Sequence, residues 1–285
     1  MVSSTTINNN KNKPIAVFDS GVGGLTVYKK LKEILPNEDY IYFGDLKNCP
    51  YGQKSKQQLI DLTADIFNYF KCEDVKAVVM ACNTTSANVY DEYNNKFDYT
   101  LYPIIRSCAK IISQLPIERL GVFATSATIS SGAYKREINS HNPNIEVFEM
   151  SCPGWVQIVE GNKQNDELSV QLIKENIDRM LENNPDKILL GCTHYPFLLD
   201  VLSTFAPRDM FIDPAEYFAS YIKDDLSSKN LLNENGGQEK FYVSANPKEF
   251  KIAAKMFYDL HLSYHLVFWD YRQPVSEKHG ESRSG

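Results

Sequence analysis

Several familiar signatures are missing from this chain. None of its six cysteines forms a CxxC pair, so zinc-ribbon and thioredoxin-type chemistry have no local support. No apolar stretch approaches the roughly 20 residues a helix needs to cross a bilayer. Positive charge is in deficit, and the net charge of −6 argues against nucleic acid or an anionic membrane as the main partner. The dinucleotide fingerprint is incomplete: in Gly21-Val-Gly-Gly-Leu-Thr26 the third glycine of GxGxxG falls on Thr26. Gly52-Gln-Lys-Ser55 is no P-loop, because the nearest upstream glycine is Gly44, at the wrong distance. His261 and His265 stand four apart with no acidic partner between them, which reads as a packed helix end rather than a metal site.

What is present is the composition of a globular protein, 43% hydrophobic and 23% charged over 285 residues, enough for two domains. The Ser/Thr/Asn-rich start, residues 1–13, has no apolar core. It reads as a disordered tail rather than a secretory signal. Residues 271–285 read as a second polar tail. With nothing to mark export, the cysteines are expected to be free thiols in a reducing compartment.

Between the tails the chain runs through one pattern twice. Ile15-Ala-Val-Phe18 reads as a buried strand ending in the glycine turn, followed by a helix carrying Leu25, Tyr28, Leu31 and Leu35 and stopped by Pro36. That glycine-bearing helix start favours a small anionic ligand over a purely structural turn. Tyr40-Ile-Tyr-Phe43 is a second strand. Ser55 and Gln58 form a capping box for a helix with Leu59, Leu62, Ile66, Phe67 and Phe70 on its inner face. A strand ending at Cys82 and a helix from about Ser86 follow. The pattern resumes with Leu120-Gly-Val-Phe123, Ile145-Glu-Val-Phe148, a helix over Asp166 to Leu181 facing inward through Leu168, Leu172, Ile173, Ile177 and Met180, and a strand ending at Cys192. Asp213-Pro214 and Asn246-Pro247 each start a helix, and His265-Leu-Val-Phe268 is a closing strand. The expected fold is α/β: two pseudo-symmetric three-layer units with mainly parallel sheets and the active site in the cleft between them. Residues 14–105 with 214–270 make the first unit, and 106–213 the second.

Two stretches carry the chemistry. Val78-Val-Met-Ala-Cys-Asn-Thr-Thr-Ser86 and Ile188-Leu-Leu-Gly-Cys-Thr-His-Tyr-Pro196 share one layout: an apolar run, a small residue, a cysteine, then polar donors. Both thiols fall just past a strand end, where open α/β sheets bind ligands. A thiolate there can be stabilised by a helix N-terminus and neighbouring donors. Two equivalent thiols across a cleft could remove a proton from one face of a carbon and return one to the other. The plain alternative is a pair of buried structural cysteines. Cys49, Cys72, Cys108 and Cys152 lack this symmetry and read as structural.

The motifs Phe18-Asp-Ser-Gly-Val-Gly-Gly-Leu25, Gly44-Asp45, Pro50-Tyr-Gly52, Ala81-Cys-Asn-Thr84 and Gly191-Cys-Thr-His-Tyr-Pro196 occur in one order over about residues 14 to 270. In these the sequence resembles the glutamate racemases, within the cofactor-independent aspartate/glutamate racemase superfamily. The resemblance implies that Cys82 and Cys192 are two acid/base thiols, assisted by Asp19 and His194, with Glu160 near the second. It implies that Asp19, Ser20, Tyr51, Gly52, Asn83, Thr84, Thr125, Thr128, Thr193 and His194 hold the substrate. It further implies L- and D-glutamate as substrate, no cofactor and no metal. D-glutamate would serve peptidoglycan synthesis, and the enzyme would be a cytoplasmic homodimer. One departure bears on the hinge between the units: Ile105-Arg106-Ser107-Cys108 replaces the Pro-Gly turn common in relatives, leaving Arg106 as a carboxylate partner or a surface charge. Aspartate as substrate, and a non-catalytic binding protein on the same fold, are the competing readings.

Overall fold

Ile15–Asp19 (β1) is buried at every position, as a run without polar alternation requires when both faces of a sheet are covered. The computed structural model describes residues 10–258, together with the backbone of 265–268. After β1 come helix α1 (Leu25–Ile34), β2 (Tyr40–Gly44), two 3-10 turns, α2 (Lys56–Cys72), β3 (Ala77–Met80), α3 (Asn83–Tyr93), β4 (Thr100–Pro103) and α4 (Ile104–Ile112). The second half runs β5 (Arg119–Ala124), α5 (Ser126–Ser130), α6 (Ala133–His141), β6 (Glu146–Ser151), α7 (Trp155–Glu160), α8 (Glu167–Leu181), β7 (Lys187–Gly191), a 3-10 turn at Tyr195–Leu198, α9 (Leu199–Leu202) and β8 (Phe211–Ile212). Helix α10 (Pro214–Ser228), β9 (Glu239–Val243), α11 (Pro247–Ala254) and β10 (His265–Phe268) complete the described chain.

The strands form two sheets, ordered β10-β9-β2-β1-β3-β4 and β6-β5-β7-β8, and every described pairing is parallel. The block β2-β1-β3-β4 therefore has the same order as β6-β5-β7-β8, with β3 and β7 in equivalent places. Alternation along β1 sends Ala16 and Phe18 to a core shared with α2, and Ile15 and Val17 to the opposite core shared with α1. That second core continues without a break into the β5, β6 and β7 side chains of the other unit.

Local signals explain two helix starts. Ser55 accepts from the Gln58 amide while the Gln58 side chain accepts from Ser55, closing the capping box at α2. Asp213 accepts from the Ala215 amide beside the N1 proline of α10. Three expectations need correction. Helix α3 begins at Asn83, not Ser86: Asn, Thr and Ser are poor helix formers and read as loop, but burial of Asn83 to Ser86 overrides that preference. Leu168 is 81% exposed, because the inward stripe of α8 is Ser169, Ile173, Asn176, Ile177 and Met180, one residue out of phase with it. Residues Ile105 to Cys108 make no turn; they lie inside α4. His261 lies outside the described residues, so the HxxxH pair is not described.

Candidate active site

The strand ends of both sheets open onto one cleft of about 630 Å³, part of it open to solvent. Cys82 follows β3 and is itself the N-cap residue of α3, so its thiol sits at the positive end of a helix. Its Sγ lies 3.7 Å from Ser20 Oγ. Burial raises the Cys82 thiol, and the charge of Asp19 adds to this. Hydrogen bonds from Thr85 and Ser20 oppose it, leaving a value of about 11. Cys192 follows β7 in the equivalent place, and its Sγ lies 3.9 Å from His194 Nδ1.

His194 is the electrostatic centre of the second loop. Its Nε2 stands 3.2 Å from Glu160 Oε1, at the end of α7. Burial alone would lower the imidazole, but its hydrogen bonds to Cys192 and Glu160 outweigh burial and raise it to about 10. Burial pushes the other way on Glu160 too, and there the His194 contact wins, holding the carboxyl below its usual range. The pair is thus an imidazolium and a carboxylate, with the cation between Glu160 and the Cys192 sulfur. Asp19, at the end of β1, is fully buried. It accepts from the Gly21 amide at 2.9 Å and from the Thr193 hydroxyl at 3.3 Å. Burial raises its carboxyl despite the nearby His194 charge.

The remaining lining is neutral and rich in donors. Thr84 from the first unit meets Thr125 at 2.9 Å and Thr128 at 3.4 Å from the second, and those two are 3.0 Å apart. Gly52 approaches Thr125 so closely that a Cβ would stand 2.7 Å from its Cβ. Among the lining residues there is no lysine or arginine. Among the described residues no group of three or more His, Cys, Asp or Glu could hold a metal ion. An anionic ligand in this cleft meets hydroxyls, side-chain amides and one buried imidazolium.

Ten residues singled out in the sequence line the cleft: Ser20, Tyr51, Gly52, Cys82, Asn83, Thr84, Thr125, Cys192, Thr193 and His194. Asp19, Thr128 and Glu160 stand behind them, each hydrogen-bonded to a lining residue. The Tyr51 hydroxyl donates to Asp45, so its ring rather than its phenol is free for a ligand. The glycine turn departs from expectation. Gly21, Gly23 and Gly24 do not line the cleft, and a Cβ on Gly23 would stand 2.5 Å from Thr193 Oγ1. Gly23 lies under the Thr193-His194 loop of the second unit, and Gly24 is closed in by Asp19 and Tyr42 of the first. Cys49, Cys152, Gln157 and Tyr195 also line the cleft and were missed. Cys49 carried a signal in its place beside Pro50-Tyr-Gly52, and Tyr195 in its place within Gly191-Cys-Thr-His-Tyr-Pro196, but nothing local distinguishes Cys152 or Gln157.

Residues 15–222 match the sequence model of a family described as Asp/Glu/hydantoin racemase. The chain is 38% identical over 247 residues to a glutamate racemase of Thermoanaerobacter pseudethanolicus, covering 86% of this chain and 92% of the relative. It superposes on the crystal structure of glutamate racemase from Francisella tularensis in complex with D-glutamate. The TM-score is 0.85 at 34% identity, covering 92% of this chain and 98% of the other. A glutamate racemase from Thermus thermophilus in complex with beta-chloro-D-alanine matches at TM-score 0.79 and 30% identity, with coverage of 92% and 99%.

Proposed function

The chain belongs to the Asp/Glu/hydantoin racemase family, whose model matches residues 15–222, and from that premise we propose that it interconverts L- and D-glutamate through Cys82 and Cys192. The observation that carries this reading is the equivalence of the two thiols. Each follows the corresponding strand of its own sheet, and both line one cleft. One cysteine, as thiolate, takes the α-proton and becomes a thiol, and the other, as thiol, gives its proton to the opposite face and becomes a thiolate, so the centre inverts and the two sulfurs exchange protonation states.

The α-hydrogen of an amino acid is a very weak acid, so the developing negative charge needs donors fixed in advance. Ser20 and Thr84 offer such donors, Thr125 and Thr128 brace Thr84 from the second unit, and Asn83 holds the substrate in ground and transition states alike. Cys82, raised to about 11, rests as a thiol ready to give a proton. The imidazolium of His194, held by Glu160 through Nε2, turns Nδ1 towards the Cys192 sulfur. Asp19 positions Thr193 on the shared boundary. No cofactor is required for this proton transfer.

The test is incubation with each glutamate enantiomer in D₂O, following optical activity and α-proton loss together. Wild type should racemise both enantiomers, and Cys82→Ser and Cys192→Ser should each lose roughly a thousandfold or more, as loss of a general acid or base does. Full racemisation in both directions by either variant would sink the two-thiol mechanism. A wild type that binds glutamate without exchanging its α-proton is a binding protein instead. Rates on aspartate decide the substrate, since one methylene separates the two and such differences are worth about 10- to 200-fold.

We also infer that the product supplies peptidoglycan synthesis in a bacterial cytoplasm and that the enzyme works as a homodimer. Growth of a D-glutamate auxotroph carrying this chain tests the first, and light scattering the second.

A further inference from the structure

We propose that Tyr134 is a positioning residue for the substrate, because its phenol fixes the Asn83 amide with the donor end turned to the cleft. The proposal rests on the reading of Asn83 as a substrate-holding residue and goes beyond it. Tyr134 lies on α6 of the second unit and is fully buried. Its hydroxyl donates to Asn83 Oδ1 at 2.5 Å. Asn83 opens α3 of the first unit, is 3% exposed and lines the cleft. Its Nδ2 is buried and has no hydrogen-bond partner within the protein.

An asparagine side chain presents an acceptor at one end and two donors at the other, and it can rotate to exchange them. A buried hydroxyl that must place its own hydrogen settles that choice. Asn83 Oδ1 is the acceptor the buried Tyr134 hydroxyl reaches, and turning the amide over would set N–H groups against the phenol and take that acceptor away. Oδ1 is thereby tied, and Nδ2 is the end left without a partner inside the protein. A buried, unpaired amide N–H is unfavourable, and a carboxylate oxygen arriving in the cleft relieves it.

The ring of Tyr134 is fixed as firmly as its hydroxyl. A Cβ on Gly191 would stand 2.8 Å from Tyr134 Cε2, so the ring lies flush on the residue that precedes Cys192. Tyr134 therefore touches the residue before one thiol and the residue after the other. Because Tyr134 and Asn83 belong to different units, the amide is oriented only while the units are together. Closure and substrate capture then share one hydrogen bond.

Tyr134→Phe keeps the ring on Gly191 and deletes the donor. The amide should hold the substrate equally in ground and transition states, so the variant should raise KM for glutamate about tenfold and leave kcat within about twofold. Its thermal melt should match wild type. On an Asn83→Ala background, where there is no amide to orient, Tyr134→Phe should change KM no further. An unchanged KM, an effect that multiplies with Asn83→Ala, or an activity loss that follows loss of the native fold would each overturn the proposal and assign Tyr134 to the core. A wild type that neither racemises nor binds glutamate fails the parent reading. A wild type that does both, beside an unaltered Tyr134→Phe, fails this inference alone.

Discussion

Thr193 Oγ1 and Asp19 Oδ2 are 3.3 Å apart, and that hydrogen bond joins the loop after β7 of the second unit to the end of β1 in the first. The bond is buried, so it works in surroundings that strengthen it. It also explains Gly23, which lies under the same loop. The turn at Gly23 must be thin for the Thr193 loop to reach a carboxylate behind it.

Gly23→Ala tests that relationship. The added Cβ would stand 2.5 Å from Thr193 Oγ1 and 2.6 Å from the His194 ring, closer than real contacts allow. Both neighbours are buried and hydrogen-bonded, so neither yields freely. Overpacking of this kind costs about 1–3 kcal/mol. The expected outcome is a fall in kcat/KM of about 10- to 100-fold from displacement of Thr193 and His194. Steady-state kinetics with a thermal melt measure both parts. Wild-type kinetics in this variant would show that the loops tolerate separation.

His194 makes stability depend on pH in a definite direction. Its folded value of about 10 lies above its ordinary value of 6.5, because the hydrogen bonds to Cys192 and Glu160 outweigh burial. A group raised on folding contributes fully below its unfolded value and loses that contribution as pH rises to the folded one. The advantage of wild type over His194→Gln should be largest near pH 6 and shrink steadily towards pH 10. Urea melts across that range measure it. A constant or growing advantage would mean that the buried imidazole is neutral.

Lys76 and Glu38 form an ion pair shut off from solvent, with side-chain exposures of 2% and 1%. Lys76 Nζ also donates to the carbonyls of Lys11 and Leu231, and Glu38 accepts from the Asn233 amide. Removing one partner strands the other charge, at a cost of about 3–5 kcal/mol. Lys76→Met should therefore be much less stable than wild type in urea. Glu38→Leu with Lys76→Met should recover a large part of the loss. If the double variant is the less stable of the two, the pair contributes more than its own charges.

The architecture was legible because both halves carry strand runs bounded by punctuating residues. Ile15–Asp19 and Lys187–Gly191 are apolar runs ending in small or polar residues, and the Ser55/Gln58 box marks its helix by composition alone. The site was legible where a residue and its neighbours in sequence act together, as in Cys192-Thr193-His194. It was hidden where the partner is distant. Tyr134 meets Asn83 from 51 positions away, and nothing near it in sequence announces the bond. Gly23 was misread for the same reason. Its need for no side chain comes from a loop 170 residues later, while its local pattern suggested an anion. Helix α4 was missed because Arg106 and Ser107 were weighed as a replaced turn rather than as members of an amphipathic run.

Arg106 itself gives the last prediction. Its Nε and Nη2 reach the two oxygens of Glu137 at 3.1 and 3.2 Å, its Nη2 reaches Asp91 at 3.1 Å, and its guanidinium lies 4.7 Å over the Tyr90 ring. Tyr90 and Asp91 are on α3 and Glu137 is on α6, so one side chain clasps helices from both units. Those same helices carry Asn83 and Tyr134 at their first turns. The clasp thus braces from the surface the pair of helices that meets in the cleft. Its guanidinium is partly exposed, with a side-chain exposure of 41%, and water and salt weaken each contact. Arg106→Ala should lose about 1 kcal/mol of stability, and that loss should diminish in high salt. Lysine keeps the charge but not the planar fork, so Arg106→Lys should recover less than half of it. Activity should fall less than about fivefold in either, because the clasp touches no lining residue. Denaturant melts at low and high salt, set beside kinetics, measure all three. Equal stability of alanine, lysine and arginine at this position would make Arg106 a solvated charge.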